Sequence, residues 1–307
     1  MFERLKKPLD IFVNICYNVL YEIEEVDKVE LNLTSYHEYL KDKLRGRIEK
    51  LDRKELWILT DGVDSQCKSY MRSKVNVGAE LGIETKVITI NSEMEFDEVI
   101  YDAILTKTPI ILQLPINKKY EEKYNKIKNL VKPIDVDGFF RFQEVSEGDY
   151  SIAPATPKGI LNYIKDEKGL NVDLRGKTVT IVGRGNLVGK PLAMMLINEG
   201  ATVISLNSKT DKDFRTDALV HSDIVVLATG IKGSVKTSEL PNTVKVINVG
   251  TCFDENNRLT TELDIDSHMK CDSIDYTPRI KGVGILTVLT LFENVVNFYE
   301  NLWFTKV

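Results

Sequence analysis

The segment that most restricts what this chain can fold into is TVTIVGRGNLVGKPLAMML, residues 178–196. An apolar, β-branched run leads into Gly183-x-Gly185-x-x-x-Gly189 and then into a helical pattern. Glycines at such a junction let the backbone turn tightly and approach a pyrophosphate, whose charge suits a helix N-terminus. The last glycine falls one residue later than in a strict G-x-G-x-x-G, and a plain crossover turn is the competing reading. The downstream sequence favours a dinucleotide fold: ATVISL, SDIVVLATG and VKVINVG read as three more strands. The last two run into Thr229-Gly230 and Gly250, as strands do at the carboxyl edge of a doubly wound sheet.

An NAD site should carry a carboxylate at the end of its second strand, to hold the ribose 2'-hydroxyl. ATVISL instead ends in Asn207-Ser208-Lys209-Thr210, and the first acid is Asp211. Ser208 and Lys209 can donate to a 2'-phosphate, and Arg184 can reach it from the glycine turn. The charge logic prefers NADP; an NAD site flanked by solvated loop residues is the alternative.

The first half also alternates strand and helix. Tyr36 to Leu51 reads as a helix with one apolar face, ELWILTDG as a strand and turn, and Ser65 to Leu81 as a second helix. TKVITI, a helix from Phe96 to Thr106, and TPIILQLPI complete a parallel α/β layer. The stretch from Val131 to Thr156 is turn-rich and marks a domain boundary or a functional loop. Helices are predicted over Pro157–Lys168, Leu187–Glu199 and Leu286–Phe304. The expected class is α/β in two domains.

Tyr70 and Lys74 stand four apart on one helix face, where a lysine beside a phenol can serve in proton transfer. Gln113 lies at a strand end, in LQLP, and Asp137 lies in the turn DVDG. Taken singly, each reads better as a structural feature, such as a solvated face or a turn cap, than as a functional group.

Composition excludes other classes. The 307 residues are 43% hydrophobic and 28% charged, with a net charge of -5. That is ordinary for a soluble globular chain and unsuited to coating nucleic acid. Cys16, Cys67, Cys252 and Cys271 lie far apart with no C-x-x-C, as thiols of a reducing compartment would. The three histidines have no ligand spacing, so no metal is expected. The first residues, MFERLKKPLDIFVNICYNVLYEI, read as an amphipathic helix and not as a signal peptide or membrane span. The expected location is the cytoplasm.

The ordered series SYMRSK, IILQLPI, DVDGF, PATPKGI, GKTVTIVGRGNLVGKPLA, VISLNSKT, SDIVVLATG, VKVINVG and TP...GVG...T resembles the bifunctional methylenetetrahydrofolate dehydrogenase/methenyltetrahydrofolate cyclohydrolase family, from about Leu31 to the end. The resemblance implies a folate-binding catalytic domain, residues 1–149 with 285–307, and a Rossmann-type NADP domain, residues 150–284. It implies oxidation of 5,10-methylenetetrahydrofolate to the methenyl form and hydrolysis of that to 10-formyltetrahydrofolate. This is one-carbon chemistry of the kind purine biosynthesis draws on, carried out by a cytoplasmic homodimer.

By position, Lys74 is then the essential lysine, Tyr70 orients the folate, Gln113 tunes the lysine and Asp137 grips the pterin. Leu114, Pro115, Gly282, Val283, Gly284 and Thr287 complete the folate contacts, the last four as a closing loop. Gly183, Arg184, Gly185, Gly189, Asn207, Ser208, Lys209, Thr229, Gly230 and Gly250 contact the dinucleotide. Thr156 and Pro157 match the loop that enters the cofactor domain. The chain departs from the family pattern at Ala155, Asn117, Ile134, Gly185 and Asn207. The largest departure is TPRIKGVGILT, where Ile280, Lys281, Ile285 and Leu286 replace Pro, Gly, Pro and Met; weaker folate binding is expected from it. Two other classes stay open. A monofunctional dehydrogenase is disfavoured by the retained Lys74. A non-catalytic dinucleotide sensor is disfavoured by the intact Tyr70, Lys74, Gln113 and Asp137.

Overall fold

The computed structural model describes residues 31, 33–62, 65–249, 252–253, 259–264, 274–278 and 281–304, with backbone alone at 65–70, 253, 259 and 303–304. The expected N-terminal amphipathic helix, Gly250, Ile280, Cys16 and Cys271 lie outside these residues. Cys252 is a buried free thiol.

Helix α1 (Thr34–Ile48) precedes β1 (Glu55–Thr60), α2 (Ser65–Leu81), β2 (Glu84–Thr89), α3 (Glu93–Thr106) and β3 (Ile110–Leu112). These strands form a parallel sheet in the order β2-β1-β3. Leu56, Ile58 and Leu59 of β1 and all three residues of β3 are buried, the continuous apolar burial expected of a parallel sheet covered on both faces. Helix α3 starts three residues before the predicted Phe96, because Ser92 caps it: its Oγ accepts from the Glu95 N–H at 3.1 Å.

TPIILQLPI is shorter as a strand than its apolar run predicts. Pairing stops at Leu112, and the chain turns through Asn117, whose side chain accepts from the Lys119 N–H and caps α4 (Lys118–Lys126). Two short helices follow, α5 (Lys128–Val131) and α6 (Phe142–Ser146). Between them Asp135 bridges Ile110 in parallel, so DVDG runs beside β3.

The second layer opens with α7 (Ala155–Lys165), then β4 (Thr178–Val182), α8 (Gly189–Asn198), β5 (Thr202–Leu206), α9 (Lys212–Val220) and β6 (Ile224–Leu227). After β7 (Val235–Lys236) come β8 (Lys245–Asn248), the short pieces β9 (Cys252–Phe253), β10 (Leu259–Thr260), β11 (Leu263–Asp264) and β12 (Asp275–Tyr276), and the long α10 (Val283–Phe304). The sheet order is β12-β8-β6-β4-β5, all parallel. The chain runs outward from β4 to β5 and then crosses back to β6, so its direction reverses between β4 and β6, where doubly wound sheets open a ligand crevice. The polar helices α4 and α9 have no counterpart in the hydrophobic periodicity. Tyr120 and Tyr124 are the only buried residues of α4, too few to mark a stripe.

Helix α10 joins the two layers. It packs along α7 and α1 and reaches α2, with Val288, Leu291, Phe292 and Val295 in the core of the first sheet and Val283 and Leu286 in that of the second. One buried amide fixes it. Asn294 Nδ2 donates to the carbonyls of Val136 at 2.9 Å and Ala153 at 2.7 Å, and its Oδ1 accepts from Lys158 Nζ at 2.9 Å. Replacement of Asn294 by Leu strands the Val136 and Ala153 carbonyls, each worth about 1–3 kcal/mol when buried without a partner, and leaves Lys158 with Glu293 and the Ser151 carbonyl alone. Asn294→Leu should therefore lower the urea midpoint strongly at unchanged slope; a midpoint within error of the parent's would refute the role.

Candidate active site

Helix α2 carries Lys74 to the carboxyl end of the first sheet, where it is 7% exposed. Its Nζ donates to Gln113 Oε1 at 2.9 Å. Gln113 follows β3 and is itself oriented: its Nε2 donates to the Leu114 carbonyl at 2.7 Å, which leaves the amide oxygen facing the lysine. Leu114 is half-buried and Pro115 exposed at the same rim. Tyr70 lies one helical turn before Lys74; its side chain is outside the described residues.

Asp137 stands beside β3 at the end of the bridged DVDG segment. Burial pushes its carboxyl up, and Lys74 pulls it back. Asp135, fully buried, is pushed up to about 7 by burial and by Asp137, against the pull of Arg141. The Asp137 and Phe139 backbone N–H groups also favour its charged form, yet no donor among the described residues closes to hydrogen-bond distance on either oxygen. Sequence reading singles out Asp137 and not Asp135, although both stand in one four-residue turn. Only packing separates a buried acid from its half-buried neighbour.

The closing segment differs from the expected loop. Val283, Gly284 and Thr287 lie in the first turns of α10 and not in a loop, and the Thr287 hydroxyl is 3.0 Å from that of Thr156. Leu286, one of the substituted positions, is fully buried in the core and does not line the cleft. Lys281 takes a left-handed backbone, φ 57°, where a side chain is strained and glycine is not. Gly282 lies tightly inside: a Cβ there would fall 1.9 Å from the Pro278 carbonyl oxygen.

His37 of α1 sits against this segment. It is 3% exposed, the Gly282 backbone faces it, and its Nε2 has no partner among the described residues. Burial first, then Lys41 and Lys281, lower its pKa from 6.5 to about 4, while Glu38 and the Gly282 backbone oppose. The unfolded chain thus binds a proton that the folded chain refuses between those values. Stability from this group is present above about pH 6.5 and is lost as pH falls toward 4, by on the order of 3 kcal/mol. Asp135, raised in the fold, acts with the opposite sign, so the difference between variants is the clean readout. The parent should lose stability to urea between pH 7 and 4.5 more steeply than His37→Leu; parallel curves would show that the imidazole is not buried neutral.

In the second sheet the glycine turn follows β4. Gly183 has φ 120° and lies so close to β6 that a Cβ would fall 2.2 Å from the Ala228 carbonyl oxygen. A Cβ on Gly189 would meet the Gly183 carbonyl oxygen at 2.1 Å. At Gly185 a Cβ would meet nothing within 4 Å, which leaves a cradle open above the turn at the N-terminus of α8. Arg184 is exposed and donates from Nε to the Ser205 carbonyl at 3.1 Å, so its guanidinium lies over the end of β5. There Asn207 Oδ1 accepts from the Lys209 N–H at 3.0 Å, and Ser208 and Lys209 are exposed. Asp211 turns away: its Oδ1 caps α9, accepting from Asp213 and Phe214 N–H groups. Among the described residues no carboxylate is left to meet a ribose 2'-hydroxyl at this strand end, while an arginine and a lysine flank it. These residues fit a dinucleotide with a 2'-phosphate. Thr229 and Gly230 border the same crevice, beyond β6.

The family described as tetrahydrofolate dehydrogenase/cyclohydrolase, NAD(P)-binding domain, matches residues 154–302. The chain is 30% identical over 275 residues to the bifunctional protein FolD of Mesoplasma florum, covering 85% of this chain and 93% of that one. It is 34% identical over 262 residues to that of Mycoplasma mycoides, covering 80% and 86%. Its fold matches the Trypanosoma brucei methylenetetrahydrofolate dehydrogenase-cyclohydrolase, solved with NADP and an inhibitor, with TM-score 0.80 at 23% identity over 90% of this chain and 99% of that one. With relatives at this identity across most of its length, the chain belongs to the bifunctional methylenetetrahydrofolate dehydrogenase/cyclohydrolase family, the NADP-dependent oxidoreductases and hydrolases of one-carbon folate metabolism.

Proposed function

We propose that Lys74, Gln113 and Asp137 carry the folate chemistry of this family in this chain, with Tyr70, Leu114, Pro115, Gly282, Val283, Gly284 and Thr287 about the folate. The observation that carries the reading is the 2.9 Å hydrogen bond from Lys74 Nζ to Gln113 Oε1, beside the acid that Lys74 influences most directly, Asp137. The turn Gly183–Gly189 with Arg184, Asn207, Ser208, Lys209, Thr229, Gly230 and Gly250 holds the dinucleotide. NADP, when bound, accepts the hydride released from the bridging methylene. The domains divide as residues 1–149 with 285–307 and residues 150–284.

Asp137 accepts hydrogen bonds from the aminopyrimidine edge of the pterin and so orients the one-carbon bridge. Oxidation requires that orientation more than proton transfer. Hydrolysis is different: water adds to the methenyl carbon, loses a proton, and the bond to one folate nitrogen breaks as that nitrogen is protonated. Lys74 is the basic group the described residues bring to the Gln113 rim, and it takes the proton from water and returns one to the leaving nitrogen. Gln113, locked by Leu114, keeps the amine aimed.

Positioned acid-base help is worth about 100- to 10,000-fold. Lys74→Met should slow the decay of pre-formed methenyltetrahydrofolate, measured without dinucleotide, by at least about 100-fold while NADP still binds. Catalysed decay at the parent rate removes Lys74 from the mechanism. Arg184→Glu should raise the KM for NADP at least about tenfold, the worth of one charge-assisted hydrogen bond, and spare the use of NAD. Equal loss with both cofactors would argue against a 2'-phosphate contact.

A homodimer is supported by the exposed edge strand β2, where Val87 is 41% exposed, and by Met94, Tyr101 and Leu105 standing exposed on α3. A cytoplasmic location suits the acidic, cysteine-bearing composition. Among the described residues no helix is long and apolar enough to cross a membrane.

A further inference from the structure

Glu262 has no exposed surface and lies between β10 and β11, far in sequence from both the glycine turn and Lys74. Both of its carboxylate oxygens are committed to the loop after β6. Oε2 accepts from the Thr229 N–H at 2.8 Å and from the Thr229 hydroxyl at 2.7 Å, and Oε1 accepts from the Gly230 N–H at 2.9 Å. Two successive backbone N–H groups converging on one anion form a nest, here filled by the protein's own carboxylate.

The network continues across the sheet. The Glu262 N–H donates to Asn248 Oδ1 at 3.1 Å. Asn248 ends β8, and its own N–H donates to the Thr277 hydroxyl at 2.8 Å. Thr277 follows β12 and donates its N–H to the Val246 carbonyl at 3.0 Å. β6, β8 and β12 are neighbouring strands, so three side chains stitch their carboxyl ends together at the crevice rim. The glycine turn leans on the same loop, through the contact of Gly183 with Ala228. A shift of Thr229 and Gly230 therefore moves one wall of the cradle.

We infer that Glu262 is a positioning residue for the dinucleotide: it holds the Thr229–Gly230 turn in its binding shape and, through Asn248 and Thr277, ties that turn to the segment that leads into α10. This rests on the reading of the β4–β6 crevice as the NADP site. Glu262→Gln replaces one acceptor by an amide donor facing N–H groups that have no other acceptor among the described residues. Glu262→Asp keeps the charge with a shorter reach.

The test measures both half-activities on the full-length enzyme. Glu262→Gln should raise the KM for NADP about tenfold or more, as a buried hydrogen-bond mismatch would, with kcat at saturating NADP within about threefold of the parent. Decay of pre-formed methenyltetrahydrofolate without dinucleotide should stay near the parent rate, because it needs only the first-sheet residues. Glu262→Asp should give an intermediate KM, and it serves alone if the Gln variant does not fold. Three results overturn the inference. One is an unchanged KM for NADP in both variants while Arg184→Glu raises it. The second is a parallel fall of both activities with thermal stability, which makes Glu262 a support of the fold in general. The third is no effect of Arg184→Glu either, which removes the crevice reading itself and the inference with it.

Discussion

The arrangement of this protein depends on one buried carboxamide. Asn294 ties α10 to three points of the chain: the turn bearing Asp137, the linker that leads into α7, and Lys158 on α7 itself. Lys158 is 4% exposed and is held by Glu293 at 3.2 Å and the Ser151 carbonyl at 3.1 Å. Burial alone would drive that ammonium toward neutrality, and Glu293 opposes it. The approach is so close that a Cβ on Gly138 would fall 2.4 Å from the Ala153 carbonyl carbon. In a low-dielectric interior such a satisfied network is stiff, because each displacement strands a polar group. The acid of one layer and the start of the other thus move as one piece.

The folate side is electrostatically asymmetric. Two acids of one turn, Asp135 within reach of Arg141 and Asp137 within reach of Lys74, lie buried or half-buried, and burial pushes both toward their neutral forms. Tyr124 adds a buried hydroxyl beside Asp135 with no partner among the described residues. Like charges this close disfavour each other, so Asp137 helps to push the Asp135 carboxyl up. The cofactor side follows the opposite rule. Glu262, a buried carboxylate, accepts from two backbone N–H groups and the Thr229 hydroxyl, while Arg184 and Lys209 stand exposed at the end of β5.

The departures from the family pattern have separate physical meanings. Asn117 stands where a second proline is usual, and it caps α4 while its N–H donates to Asp61 at 2.7 Å. Asn207 builds the turn that presents Ser208 and Lys209. Leu286 fills core, and Ile134 is buried. Lys281 is the costly one, a lysine in backbone space that glycine occupies freely. These substitutions fall mostly on caps, turns and core, which leaves Lys74, Gln113 and Asp137 in place.

Local rules of periodicity and turn chemistry carry part of this fold. The glycine turn between an apolar run and a helical pattern, the β-branched strands of the second sheet, and α2 at Ser65–Leu81 all follow from periodicity and turn chemistry within a few residues. The missing acid after β5 was legible too, because it needs only residue types in a short stretch. Tertiary structure decided everything that rests on distant contact. Lys74 and Gln113 meet across 39 positions, Glu262 and Thr229 across 33, and Asn294 and Val136 across 158. No spacing rule reaches so far, since such pairs are made when helices and strands pack and not when they form. The same reason explains the polar helices α4 and α9, whose few buried side chains gain their partners only from the finished core.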